Sequence, residues 1–206
     1  MPPKAKITKE KVLQAALEIT RESGFSAVNA RSLAEKLNCS TQPVFTCYKN
    51  MEELKAAFLG FAYDYYKKYV GSYQASGKAE PALLYPLSYL AFAQEETALF
   101  RLLFVDEVDL HISDPGHFYN EPDNEARAMQ FAAQTAITPE RARAVFLDLF
   151  LYCHGIAVLA AAKNFTLDEP CAERMVRNFL AAFLAQGTQD GEAGTGAEGP
   201  TQKPIH

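Results

Sequence analysis

From Thr8 to Gln186 apolar residues return every three to four positions, and nowhere do they alternate with period two over a useful length. A chain patterned in this way can bury its apolar surface only by packing helix on helix, because a strand would turn every second member of each stripe to water. No hairpin turn signal interrupts the pattern. The expected fold class is all-α, with about nine helices.

Caps and breakers place the boundaries. Thr8 caps a first helix with Val12, Leu13, Ala16 and Leu17 inward, and Gly24 stops it. Asn29 caps a short helix over Ala30 to Leu37, with Leu33, Ala34 and Leu37 inward. Asn38-Cys39-Ser40 is a tight break, and Ser40 is the expected N-cap of a third helix, 41–48, whose Pro43 lies harmlessly in the first turn. Asn50 with Glu53 is a capping-box pair opening a fourth helix to about Tyr73, with the stripe Leu54, Phe58, Phe61, Tyr65 and Tyr69. Further helices are expected over 81–94, kinked at Pro86, then 95–106, 121–136, 139–163 and 169–186. Residues 107–120 read as an irregular loop. From Gly187 onward five Gly and two Pro accompany one apolar side chain larger than Ala, so 188–206 reads as a disordered tail.

Charge divides the chain unevenly. Residues 1–70 hold 11 Lys and Arg against 7 Asp and Glu, whereas 71–206 hold 9 against 18, within a net charge of −5. Indiscriminate coating of nucleic acid is excluded by the total, but a local basic surface at the front is not. The four cysteines form no C-x-x-C pair and suit a reducing cytosol. The longest nearly uncharged apolar stretch, 149–162, is shorter than the roughly 18 to 20 residues of a bilayer span. A cytoplasmic protein with no membrane association is expected.

Between positions 8 and 54 three helices are joined by short turns. The third opens with small and polar residues, keeps Val44 and Tyr48 inward, and turns hydrogen-bonding groups outward, as a helix-turn-helix requires. The residues that carry this are Val12, Ala15-Ala16-Leu17, Gly24-Phe25, Asn29-Ala30-Arg31-Ser32-Leu33-Ala34, Ser40, Phe45-Thr46-Cys47-Tyr48-Lys49-Asn50 and Glu52-Glu53-Leu54. This stretch of about fifty residues resembles the N-terminal domain of the tetracycline-repressor (TetR) family of bacterial regulators. Tyr152-Cys153-His154-Gly155-Ile156 is similar to the Trp-x-x-His-Gly pattern of one subgroup's C-terminal domain, with Tyr in place of Trp. The resemblance implies a DNA-binding domain at 1–50 and a helical effector-binding and dimerisation domain at 51–187, linked by the fourth helix. The family's frequent Gly in the turn is Asn38 here, its Tyr within the recognition helix is Phe45, its His is Cys47, and its Lys opening the fourth helix is Met51.

Candidate sites follow. Thr41, Gln42 and Thr46 face outward near the start of the third helix, and Gln can read adenine through paired contacts. Phe45 can touch a sugar or a thymine methyl. Arg31, Lys49 and Lys55, with Lys4 and Lys6, are candidate phosphate partners. Tyr85, Tyr89, Phe92, Phe100, Phe104, Phe118, Tyr119 and Phe131 concentrate aromatic surface. Of these, Tyr89, Phe92, Phe104 and Phe131, with His154, are the candidate ligand contacts for a hydrophobic or aromatic effector. His154 has no acid or nucleophile at readable spacing, so an enzyme is not expected. His111 and His117 among Asp106, Glu107, Asp109 and Asp114 match no specific cation spacing, and no metal or cofactor is expected. Wide apolar faces on the last two helices (Val145, Leu149, Tyr152, Ile156, Leu159; Val176, Phe179, Leu180, Phe183) point to a homodimer. The expected function is a ligand-responsive transcriptional regulator, most simply a repressor that binds a palindromic operator on double-stranded DNA and is released by a small molecule. The alternative is a ligand-binding helical protein whose DNA affinity is weakened or lost.

Overall fold

A computed structural model describes residues 7–106, 114–120 and 122–192, and among them every regular element is helical. The first three helices are α1 (Lys9–Ser23), α2 (Ala30–Lys36) and α3 (Gln42–Cys47). Next come α4 (Met51–Ala75), α5 (Leu84–Glu95) and α6 (Thr97–Arg101). The last are α7 (Pro122–Thr135), α8 (Pro139–Ala161) and α9 (Glu169–Glu192). The all-α expectation holds, with nine α-helices among the described residues.

The helix starts follow their capping chemistry. Thr8 accepts from Lys11 N, Asn29 from Arg31 N and Ser32 N, Asn50 from Glu53 N, and Thr138 from Arg141 N, each satisfying an amide that has no partner within its own helix. Gly24 closes α1 at φ +82°, where a side chain would be strained. Asn38 adopts φ +50° after α2. There its own amide donates to Glu35 O at 3.0 Å and the Cys39 amide to Ala34 O at 2.9 Å, so two carbonyls at the end of α2 are satisfied without a glycine.

Five local expectations are corrected. Ser40 does not cap α3; Thr41 precedes the helix in α-like backbone and makes no side-chain cap. Pro86 does not kink a long helix, because a 3-10 turn at Pro81–Leu83 comes first and α5 starts at Leu84, placing Pro86 in its first turn. The segment after Glu95 is not one helix: Glu96 leaves helical geometry at φ −121° and ψ +46°, and α6 then widens into a π turn at Leu102–Asp106. Residues 115–120 form a 3-10 turn rather than irregular loop, and α9 continues to Glu192, beyond the expected end at Gln186. Residues 107–113, with His111, Glu107 and Asp109, lie outside the described residues, as do 193–206 of the expected tail and Lys4 and Lys6.

One continuous core runs from Val12 in α1 to Leu180 in α9. Along α4 the most deeply buried row is Leu54, Phe58, Ala62, Tyr66 and Val70, at strict i, i+4 spacing. The larger Phe61, Tyr65 and Tyr69, expected to lead that stripe, flank it half-buried. Phe25, just after α1, stacks on Phe58 at 5.3 Å and 7° between planes, fixing the N-terminal segment to α4. α5 packs against α4, α8 and α9, and α7 against α8. α8 is long and apolar enough to cross a membrane by length and composition alone. That reading is broader than the 149–162 stretch, because the charges of α8 gather near its start. Within this structure its Ala142, Val145, Phe146, Leu149, Cys153, Ile156 and Ala157 are buried.

Candidate functional site: an N-terminal polar face and an aromatic cavity

Two features stand apart from packing. The first is the outer face of α3. Val44 and Tyr48 are buried, anchoring the short helix to the core, while Gln42, Phe45, Thr46 and Lys49 are exposed and Thr41 is partly so. Phe45 is 45% exposed, which is unusual for so large an apolar ring. The Thr46 hydroxyl donates to Gln42 O at 3.0 Å, so it presents acceptor lone pairs and a methyl outward. Lys49 donates its backbone amide to Glu53 Oε2 at 2.9 Å while its side chain stays exposed. Arg31 on α2 is exposed too, and Lys55 on α4 is half-buried.

The second feature is a cavity of about 560 Å³. α4 contributes Tyr63, Tyr66 and Lys67, and α5 contributes Tyr85, Pro86 and Tyr89. Leu103 and Phe104 come from the π turn and Phe118 from the 3-10 turn. α7 adds Asp123, Asn124 and Arg127, and α8 adds Phe146, Leu149, Phe150 and Cys153. The size lies within the range that holds small organic ligands. Its inner wall is built from rings meeting edge to face: Tyr66 on Phe104 at 5.1 Å and 74°, and Tyr89 on Phe104 at 5.2 Å and 68°.

Polar groups gather at one end. The Tyr63 hydroxyl donates to Asp123 Oδ2 at 3.0 Å, and Arg127 Nη2 lies 3.7 Å from the same oxygen. The Arg127 guanidinium also sits over the Tyr85 ring, 5.1 Å from its centroid, and the Tyr85 hydroxyl donates to Gln130 Oε1 at 3.0 Å. A smaller cavity of about 300 Å³ shares Lys67, Tyr85, Asp123 and Arg127, so these four sit where the two spaces meet.

Burial decides protonation inside. It pushes the Tyr66 and Tyr89 phenols far above their ordinary range, so both are neutral at any physiological pH. It pushes the Cys153 thiol up to about 12, which leaves a thiol with no thiolate reactivity. His154 is shifted the other way, toward the neutral imidazole, also by burial.

Of the five candidate ligand contacts, Tyr89 and Phe104 line the cavity and three do not. Phe92 is fully buried behind the wall and meets the Tyr66 ring edge-on at 4.9 Å. Phe131 is buried against the lining Phe146, 6.1 Å between ring centroids, and does not itself line the cavity. His154 lies one residue beyond the lining Cys153, and its Nδ1 is 2.9 Å from the Tyr89 hydroxyl while its ring stacks on Phe150 at 5.7 Å. Among the lining residues that sequence reasoning missed are Tyr63, Tyr66, Lys67, Asp123, Asn124, Arg127, Phe146 and Phe150. The signal available for them was weak, because nothing local marks the charges on α4 and α7 as facing a cavity or distinguishes an inward Tyr66 from its neighbour Tyr65.

Among the described residues no group of three or more His, Cys, Asp and Glu is placed to hold a metal ion. Of the histidine loop, Asp114 accepts from Gly116 N at 2.7 Å, and its backbone carbonyl accepts from His117 N at 2.9 Å.

The apolar faces of α8 and α9 are divided. Val145, Leu149, Ile156, Val176 and Leu180 are consumed by the core of the chain. Tyr152, Phe179 and Phe183 form a half-buried stack with centroids 4.7 and 4.4 Å apart, and Leu151 and Leu159 are 52% and 51% exposed.

The chain matches no protein-family model and no curated protein.

Proposed function

We propose that the protein is a ligand-responsive, DNA-binding transcriptional regulator of the TetR type, acting in the cytoplasm as a homodimer on a partly palindromic operator. The observation that carries this reading is α3, a six-residue helix anchored by buried Val44 and Tyr48 while Gln42, Phe45, Thr46 and Lys49 project into solvent. A helix held this way turns a row of polar and apolar side chains toward solvent. Gln42 and Thr46 suit base edges, Phe45 suits a thymine methyl or sugar, and Arg31, Lys49 and Lys55 suit phosphates. Two copies, related by the exposed part of the α8 and α9 faces, would present two such helices about one turn of B-DNA apart, roughly 34 to 36 Å. The exposed Leu151 and Leu159 beside the Tyr152, Phe179 and Phe183 stack support that arrangement.

The cavity is the effector site in this reading. A ligand releases DNA only by preferring a conformer in which α4 has moved, and the same coupling then weakens its binding to the DNA-bound form. Repression by occlusion, relieved by a small molecule, is the simplest outcome. The second reading, a ligand-binding helical protein with weakened DNA affinity, is favoured by one observation: Phe45 and Cys47 stand where donors to the backbone are frequent in the family, and the Cys47 thiol is turned to Ile7 O at 3.8 Å. Fluorescence anisotropy with duplex from the gene's own upstream region against random duplex, over a salt series, tests both. Preference for the upstream duplex with a steep salt slope is expected; a flat slope without preference favours the second reading.

A further inference from the structure

The charges at the mouth of the cavity go beyond the reading of a merely hydrophobic or aromatic effector. Residues 71–206 carry twice as many acidic as basic side chains, so an exposed point in this half of the molecule is on average negative. The junction of the two cavities departs from that average because α4 brings Lys67, from residues 1–70, beside Arg127 and Asp123, giving two cations against one carboxylate. Asp123 is already engaged by Tyr63 and Arg127. Among the described residues Lys67 pairs with Asp64 on its own helix and lies over the Tyr63 ring, half-exposed, and an exposed pair of this kind is worth little against a better partner.

A second observation lies deeper. Tyr66 is 2% exposed and lines the cavity, with ring contacts but no hydrogen bond among the described residues. No fully sealed side-chain nitrogen or oxygen among the described residues lacks a partner, so this hydroxyl opens onto the cavity. A neutral phenol there offers its hydrogen to an acceptor that none of the described residues supplies.

We propose that the cavity takes an amphipathic organic anion: a carboxylate or sulfonate held at the mouth by Arg127 and Lys67, with an apolar body among Tyr66, Tyr89 and Phe104 and an acceptor atom facing the Tyr66 hydroxyl. The planar guanidinium matches a carboxylate through two parallel bonds, and the aromatic wall excludes water from the body. This rests on the effector-site reading above. An acyl-chain acid and an aryl acid share the required chemistry.

The test uses the full chain and two fluorescent probes with the same ring system, anilinonaphthalene sulfonate and neutral phenylnaphthylamine. One sulfonate site per chain is expected. Arg127→Gln should weaken sulfonate binding about tenfold, Lys67→Gln severalfold, and both should leave the neutral probe within about twofold. Lys67→Gln alters a half-exposed side chain and keeps the test open should Arg127→Gln fold poorly. Displacement of the sulfonate by laurate or by naphthoate supports the anion and identifies its source; displacement by neither overturns it. Equal affinity for the two probes, or variants that affect both alike, would overturn charge recognition while leaving the cavity as an effector site. Binding of neither probe would remove the effector site and this inference with it.

Discussion

Arg21 on α1 donates from Nε to Glu96 Oε2 at 2.8 Å, across the junction between the N-terminal helices and the cavity-bearing ones. Glu96 is only 7% exposed, and its other oxygen accepts from the Tyr65 hydroxyl on α4 at 2.8 Å. One carboxylate thus ties together α1, α4 and the start of α6. A buried carboxylate persists only when charge and hydrogen bonds replace its water, and both are present here. Glu96→Ala should cost about 1–3 kcal/mol in urea unfolding, below the figure for a fully buried pair because the half-exposed Arg21 recovers water. Glu96→Gln, which keeps an acceptor for Tyr65, should cost less.

Tyr66 and Tyr89 make a matched pair for testing the cavity. Removing the Tyr66 hydroxyl deletes a group with no hydrogen-bond partner among the described residues, so Tyr66→Phe should leave stability within about 0.5 kcal/mol of the parent or raise it. Tyr89→Phe breaks the bond to His154 and should cost about 1 kcal/mol. Urea midpoints measured side by side distinguish the two, and reversal of the order would mean that the hydroxyls are partnered differently.

His154 gives stability a pH dependence of definite sign. Burial lowers its folded pKa below the unfolded value near 6.5, so between those two values the unfolded chain binds more protons than the folded one. Its contribution is therefore complete above the unfolded pKa and declines as pH falls through it toward the folded pKa. Comparing the unfolding free energy at pH 8 and pH 5.5 in the parent and in His154→Gln isolates the effect from other titrations, and the variant should show the smaller decline.

Ala136 ends α7 at φ +55°, a left-handed conformation that costs an L side chain about 1–2 kcal/mol. Ala136→Gly should relieve this against its greater unfolded-state entropy, for a net gain of about 0.5 kcal/mol in thermal or urea unfolding. The same substitution at Ala132, inside the helix and buried, should destabilise.

These sites also show what sequence could and could not reveal. Thr8, Asn29 and Asn50 were legible because a cap is a local bargain between one side chain and the next turn's amides. The inward positions of Leu33, Ala34, Val44 and Tyr48 were legible because a short helix has one face to bury. The break at Glu96 was not, because its cause is tertiary: the carboxylate is held by Arg21 and Tyr65, which lie 75 and 31 positions away. The same applies to the cavity. Phe92 and Phe104 have equal aromatic character, yet one seals the core and the other faces open space, a difference set by how α5, α7 and α8 meet. Nothing local in the sequence marks Arg127 as a cavity residue, because the Tyr85 ring beneath its guanidinium comes from another helix.

The central claim is that two copies of α3 read bases on one duplex, and selection of bound sequences from random double-stranded DNA by the purified full chain tests it most directly. A two-fold symmetric motif is expected, its half-sites separated by about one helical turn, and Gln42→Ala should relax base preference within each half-site by about 1–3 kcal/mol. Recovery of unrelated sequences with no shared motif would contradict it.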